Sequence, residues 1–87
     1  MNTFKLTVAS PDGNVFDGDA EMLVVRGALG ELAVMAGHIP FVTTVKPCDC
    51  KIVLPDENEI LGHVDGGILT VAENKVTLLS GSFVRKE

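Results

Sequence analysis

Apolar and polar residues alternate in short bursts along this chain, and the period is two. Phe4, Leu6 and Val8 fall on one side of an extended segment, with Thr3, Lys5 and Thr7 on the other, the pattern of a strand with one buried face. Similar runs occupy Glu21–Arg26, Glu31–Met35, Phe41–Lys46, Cys50–Leu54, Glu59–Val64, Ile68–Ala72 and Lys75–Ser80. Turn chemistry separates them: Pro11-Asp-Gly13, Gly27–Gly30, Gly37–Pro40, Pro55–Asn58 and Glu73-Asn74. The longest span free of both glycine and proline is Ile68–Ser80, and it splits at Glu73-Asn74-Lys75 into two alternating halves. No segment supports a long helix. Short strands at regular spacing predict an all-β fold, a two-sheet antiparallel β-sandwich of about ten short strands. Two such sheets bury their inner faces against each other. There is no internal repeat, low-complexity segment or linker, so residues 1–87 form one domain.

Size is consistent with that picture. An 87-residue chain of 9.2 kDa should expose roughly 4,900 Å² when folded, about 63% less than its extended form. That supports one modest core. With 46% hydrophobic residues, 5% aromatics and no Trp or Tyr, the core must be aliphatic. Net charge of −5 with scattered Lys and Arg argues against nucleic-acid binding, which needs clustered cations. No apolar run approaches the ~20 residues of a membrane-spanning helix. The N-terminus lacks the basic-then-apolar pattern of a signal peptide. The chain is therefore expected in the cytosol, or at a membrane only through a partner.

Four stretches invite chemical readings. Cys48, Asp49, Cys50 and His63 could suggest a metal cluster, but zinc ligands usually come as cysteine pairs spaced by two to four residues with a second pair downstream. Residues at i and i+2 of a strand share a face, so Cys48 and Cys50 read as reduced cysteines, one packed inward or both on an edge strand. Asp65-Gly66-Gly67 lacks the Lys-Ser/Thr and following helix of a phosphate loop, and its glycines fit a bulge or close strand crossing. Glu31, after Gly27-Ala-Leu-Gly30, reads by itself as a solvated turn carboxylate. His38, between Gly37 and Ile39-Pro40, reads as an imidazole that fixes a turn or makes a polar interface contact. No nucleophile motif accompanies it. No cofactor or metal is expected. Arg26 beside the loop could help engage a partner. Leu29, Ile39, Phe41 and Val42 are expected to form an exposed apolar patch, which a small monomer rarely displays without a partner.

A series of motifs then points to a family. Ser10-Pro-Asp-Gly13, Val15-Phe-Asp-Gly18, Val24-Val-Arg-Gly27 and Gly30-Glu-Leu32 are followed by Gly37-His-Ile-Pro40 and Val45-Lys-Pro47. Gly66-Gly-Ile-Leu-Thr-Val71 and Asn74-Lys-Val-Thr-Leu78 complete the series. Their order and spacing, nearly end to end, resemble the N-terminal β-sandwich domain of the ε subunit of F-type ATP synthases. The resemblance implies a flattened sandwich of two five-stranded sheets and a non-catalytic place in the rotor's central stalk. It implies that the subunit helps couple ion flow to ATP synthesis, at the cytoplasmic face of a bacterial plasma membrane. The partners it implies are the γ subunit and the membrane-embedded c-ring, with membrane contact only through the complex. On that reading Ala28, Leu29, Gly30 and Glu31 form the loop that meets the c-ring, while His38, Ile39, Phe41 and Val42 shape a γ-facing surface.

The chain departs from the family pattern in three places. Ala33 and Ala36 stand where the family often has Gly and Pro, and Cys48-Asp-Cys50 replaces a Gly and an apolar residue. The family's helical hairpin, which carries inhibition of ATP hydrolysis and in some members ATP binding, has no counterpart in residues 1–87. A naturally short form and a trimmed piece both fit. The competing reading is a free-standing ligand- or metal-binding β-sandwich, which would need convergent polar groups in a pocket.

Overall fold

A computed structural model describes residues 2–37 and 39–86. Among these residues eight strands form: β1 (Phe4–Ser10), β2 (Gly13–Ala20), β3 (Met22–Gly27), β4 (Gly30–Met35), β5 (Phe41–Val53), β6 (Glu59–Ala72), β7 (Lys75–Ser80) and β8 (Phe83–Lys86). They hydrogen-bond in the order β2-β1-β7-β6-β5-β3-β4, with β8 on β6. Two of the strands are long enough to serve both layers of a sandwich. The first part of β5 and the last part of β6 pair with each other beside β7, β1 and β2. The last part of β5 and the first part of β6 pair with each other between β3-β4 and β8. Counted as halves, the two long strands yield the ten expected segments and two five-stranded layers.

Three details differ from the expectation. The pairs Phe41–Lys46 with Cys50–Leu54, and Glu59–Val64 with Ile68–Ala72, are each one continuous strand, because register is kept across Val45↔Gly67 and Pro47↔Asp65. Strands β2 and β8 carry too few apolar residues for an alternation to show. In β2 only Val15, Phe16 and Ala20 interrupt Gly, Asn and Asp. One pairing, β1 with β7, is parallel, running from Lys5↔Lys75 to Ala9↔Leu79. It joins strands nearly the full chain length apart, so no tight turn constrains their direction.

The crossing at Asp65-Gly66-Gly67 shows why glycine stands there. Gly66 and Gly67 have φ of 82° and 153°, values that favour glycine. A Cβ at Gly67 would overlap the Leu79 carbonyl oxygen. The buried Ser80 hydroxyl donates to the Gly66 carbonyl at 2.6 Å and also lies 2.8 Å from the Ser82 carbonyl. That hydroxyl ties the crossing to the segment entering β8.

Between the layers lies an aliphatic core. Leu6, Val8, Leu69 and Leu78 face Leu23, Val25, Val34, Ile52 and Val64, all fully buried. Each such side chain contributes about 1.5–3 kcal/mol relative to exposure. Ser80 is the one buried polar residue among those described. The exposed area is 5167 Å², close to the value expected from mass.

Candidate functional site

The turn between β3 and β4 is short because Gly27 and Gly30 pair directly across it, leaving Ala28 and Leu29 as its two-residue tip. Gly30 takes a φ of 126°, open to a residue without a Cβ. The next rung down pairs Arg26 with Glu31, both exposed. A hairpin this tight holds its tip at a defined place, and Leu29 stands entirely in solvent at 104% relative exposure. Among the described residues nothing covers this apolar side chain on its tight turn.

Beside the tip, residues 28–32 and Phe41, Val42 and Thr43 of β5 line a surface hollow of about 440 Å³. The structure thus brings Ala28, Leu29, Gly30 and Glu31 together with Phe41 and Val42. Val42 is exposed, whereas Phe41 is only partly exposed and packs against the core. That corrects the expectation of an exposed Phe41: its register partner is Val71 on the inner face, so strand alternation turns the ring inward. Ile39 is 78% exposed but borders a different depression, shared with Gly37, Pro40 and the β6–β7 turn at Glu73-Asn74. His38 lies outside the described residues.

A second apolar surface escaped the sequence reading. On the outer side of the β3-β4 layer, Met22 pairs with both Met35 and Val53. These three residues border a hollow of about 370 Å³ with Asn2, Glu21 and Ala36. Val24 pairs with Ala33 and Lys51 on the same side, and Lys51 with the exposed Leu61. The available signal was the unbroken run Met22-Leu-Val-Val25. A strand apolar on both parities is one whose two faces are both meant to be covered.

The cysteine–histidine group is divided by the sheet. Cys50 is buried and Cys48 partly so, both against the core. Asp49 points the other way, towards His63 across the β5-β6 pair. The Cys48 sulfur accepts the Arg26 backbone N–H at 3.3 Å. Burial, with a smaller contribution from neighbouring Cys48, pushes the Cys50 thiol up to about 12, so it is a protonated packing group. Among the described residues, no three His, Cys, Asp or Glu side chains converge as a metal site.

On the exposed face, His63 Nδ1 lies 3.2 Å from Asp49 Oδ1, and Lys86 Nζ donates to Asp49 Oδ2 at 3.1 Å. A carboxylate only accepts, so Nδ1 carries the proton in this contact. The hydrogen bond from His63, then that from Lys86, holds the Asp49 carboxyl below the usual carboxylate range.

Comparison with known proteins places this geometry. Residues 3–86 match the family described as the ATP synthase, Delta/Epsilon chain, beta-sandwich domain. The chain is 38% identical over 85 residues to the ATP synthase epsilon chains of Psychrobacter sp. (strain PRwf-1) and of Delftia acidovorans. Each alignment covers 98% of this chain and 62% of the relative, so the chain spans under two thirds of their length. Among solved structures, a chain of the Euglena gracilis mitochondrial ATP synthase (OSCP/F1/c-ring) superposes with a TM-score of 0.90 at 20% identity. That superposition covers 95% of this chain and 53% of the other. A chain from the Tetrahymena thermophila mitochondrial ATP synthase central stalk and c-ring gives 0.75 at 14% identity, covering 91% and 63%. At those identities the structural likeness speaks for the fold, and the sequence matches speak for descent. With the motifs, the two-layer architecture and a match to all but the terminal residues in agreement, the chain belongs to the ATP synthase delta/epsilon chain β-sandwich domain family.

Proposed function

We propose that this domain is a non-catalytic part of the central stalk of an F-type ATP synthase, where it binds γ and the c-ring and helps couple ion flow to ATP synthesis. The observation that carries this reading is the family match over residues 3–86. The rigid tip at Ala28–Leu29, with exposed Glu31 one rung below and Arg26 opposite it, supplies the contact. Leu29 offers an apolar anchor, and Glu31 offers a charge to the polar loops of the c-ring. The hollow flanked by Val42 continues that contact along the domain, with Ile39 on the neighbouring depression towards γ. The outer face around Met22, Val24 and Met35 adds apolar area suited to a larger partner such as γ. A close-packed sandwich is stiff and transmits strain, which suits a part lying in a torque path. The site of action in this reading is the cytoplasmic face of a bacterial plasma membrane, reached through the complex.

Co-purification of tagged protein from its native membranes tests the reading. Recovery of γ and the c subunit in stoichiometric amount is expected. Their absence under conditions that keep the enzyme assembled would overturn it. Removal of the subunit is expected to uncouple ion flow from catalysis while leaving ATP hydrolysis by the catalytic subunits.

A further inference from the structure

We propose that Asp49, His63 and Lys86 form a pH-responsive latch that holds the edge strand β8 at neutral and alkaline pH and loosens it in mild acid. The inference concerns the chain itself and does not depend on its partners. Strand β8 is four residues long and, among the described residues, pairs with β6 alone, from Leu61↔Lys86 to Val64↔Phe83. Two features fasten it besides that ladder. The Phe83 ring occupies the space above Gly62, where any Cβ would overlap it. Near the strand's other end Lys86 reaches over β6 to the Asp49 carboxylate on β5. That carboxylate is already engaged by His63 through its second oxygen.

The sign of the pH response follows from one anion serving two donors. With His63 neutral, Lys86 is the only cation among the described residues held by the carboxylate, and His63 contributes a neutral N–H. When the imidazole takes up a proton, a second cation sits on the same carboxylate. It lies no farther from Lys86 than two hydrogen bonds and the width of a carboxyl group. Coulomb energy falls only as 1/r, so repulsion between the two cations cancels a substantial part of the attraction holding Lys86. Both donors, His63 first and then Lys86, depress the carboxylate's proton affinity, so it stays the anion they share. Other charges face the group from the neighbouring elements. Asp65 lies two residues along β6 on the same side, Lys51 two residues along β5, Arg26 on β3 beyond β5, and Glu31 on β4 lines the same hollow as Asp49 and Lys86. On β8 itself Val84 opposes His63, and Arg85 falls on the other parity. Asp65 and Glu31 favour the imidazolium, while Lys51 and Arg26 oppose it, and none of the four replaces Lys86 as the tie to β8.

Amide hydrogen exchange read residue by residue by NMR tests the latch, with rates corrected for the intrinsic pH dependence and referred to β7. Protection of the β8 amides is expected to fall about two- to fivefold between pH 8 and pH 5, the range open to an exposed ion pair. In His63→Gln, which keeps a neutral donor, protection should stay at the pH 8 level throughout. In Asp49→Asn and in Lys86→Gln it should be low at both pH values. Unchanged or rising protection of the parent protein in acid would overturn the proposal. The same fall in His63→Gln would overturn it equally.

Discussion

At the scale of single residues, the fold depends most on positions whose chemistry looks minor. Gly67 has no Cβ because the Leu79 carbonyl oxygen occupies that space, and its φ of 153° disfavours other residues. Gly67→Ala should therefore destabilise the domain by at least about 2 kcal/mol, read as a lower urea midpoint. Gly13→Ala, with open space but φ of 121°, should cost less, which separates overlap from dihedral strain. Cys50 makes a pH prediction. Its folded thiol titrates near 12 against 9.0 for an ordinary one. The unfolded chain therefore releases its proton first as pH rises. Stability from this group is complete below pH 9 and is lost progressively as pH rises towards 12. A pH series of denaturant melts should show a steeper alkaline decline for the parent protein than for Cys50→Ala. Equal slopes would mean the thiol is already ionised or hydrated in the native state.

At the scale of elements, the two bent strands decide the architecture. A straight β5 or β6 would extend one layer; bent at the Pro47 and Gly66-Gly67 region, each strand contributes to both. Strand β8, the shortest of the described strands, rests on one neighbour, the Phe83 ring and the Lys86–Asp49 contact. Gly62→Val should push Phe83 off its seat and raise exchange of the β8 amides by tenfold or more. The β1–β7 amides should keep most of their relative protection. A uniform loss across all strands would show that β8 is integral to the cooperative core. How legible these elements were depended on composition. Strands with a clean apolar parity, such as Phe4–Val8 and Lys75–Ser80, were readable directly. Strand β2, rich in Gly and Asp on an edge, buries too little to leave a period in its sequence.

At the scale of the whole molecule, the domain presents a tight apolar tip and an outer face on which Met22, Val24 and Met35 lie beside Glu31, Asp49 and Lys51. Exposed charges contribute little to the fold, so Glu31→Lys should leave the melting temperature within about 1–2 °C. It should weaken attachment to native membranes, measured by sedimentation with the assembled enzyme. A rim charge acts mainly on association rate, so the loss should be modest and larger at low salt. Leu29→Ser should weaken attachment by removing an apolar anchor, seen as faster dissociation with little salt dependence. If Glu31→Lys instead lowers the melting temperature substantially, its pairing with Arg26 is structural and the contact reading of Glu31 fails.

The sequence by itself determined the fold class and the family. Alternation of period two and the spacing of turn residues are local properties, and the ordered motifs from Ser10 to Leu78 are visible without coordinates. The same alternation placed Cys48 and Cys50 on one face, and turn chemistry located the tip at Ala28–Leu29. Only the tertiary structure decided which separated segments meet. It joined the β3–β4 turn to Phe41 and Val42 and buried the Phe41 ring. It set Asp49 against His63 and Lys86 across three strands, and it gathered Met22, Val24 and Met35 into an outer apolar face. The physical reason is register. A strand's own sequence fixes which side chains share a face, but the neighbour and offset it adopts depend on the packing of the complete core.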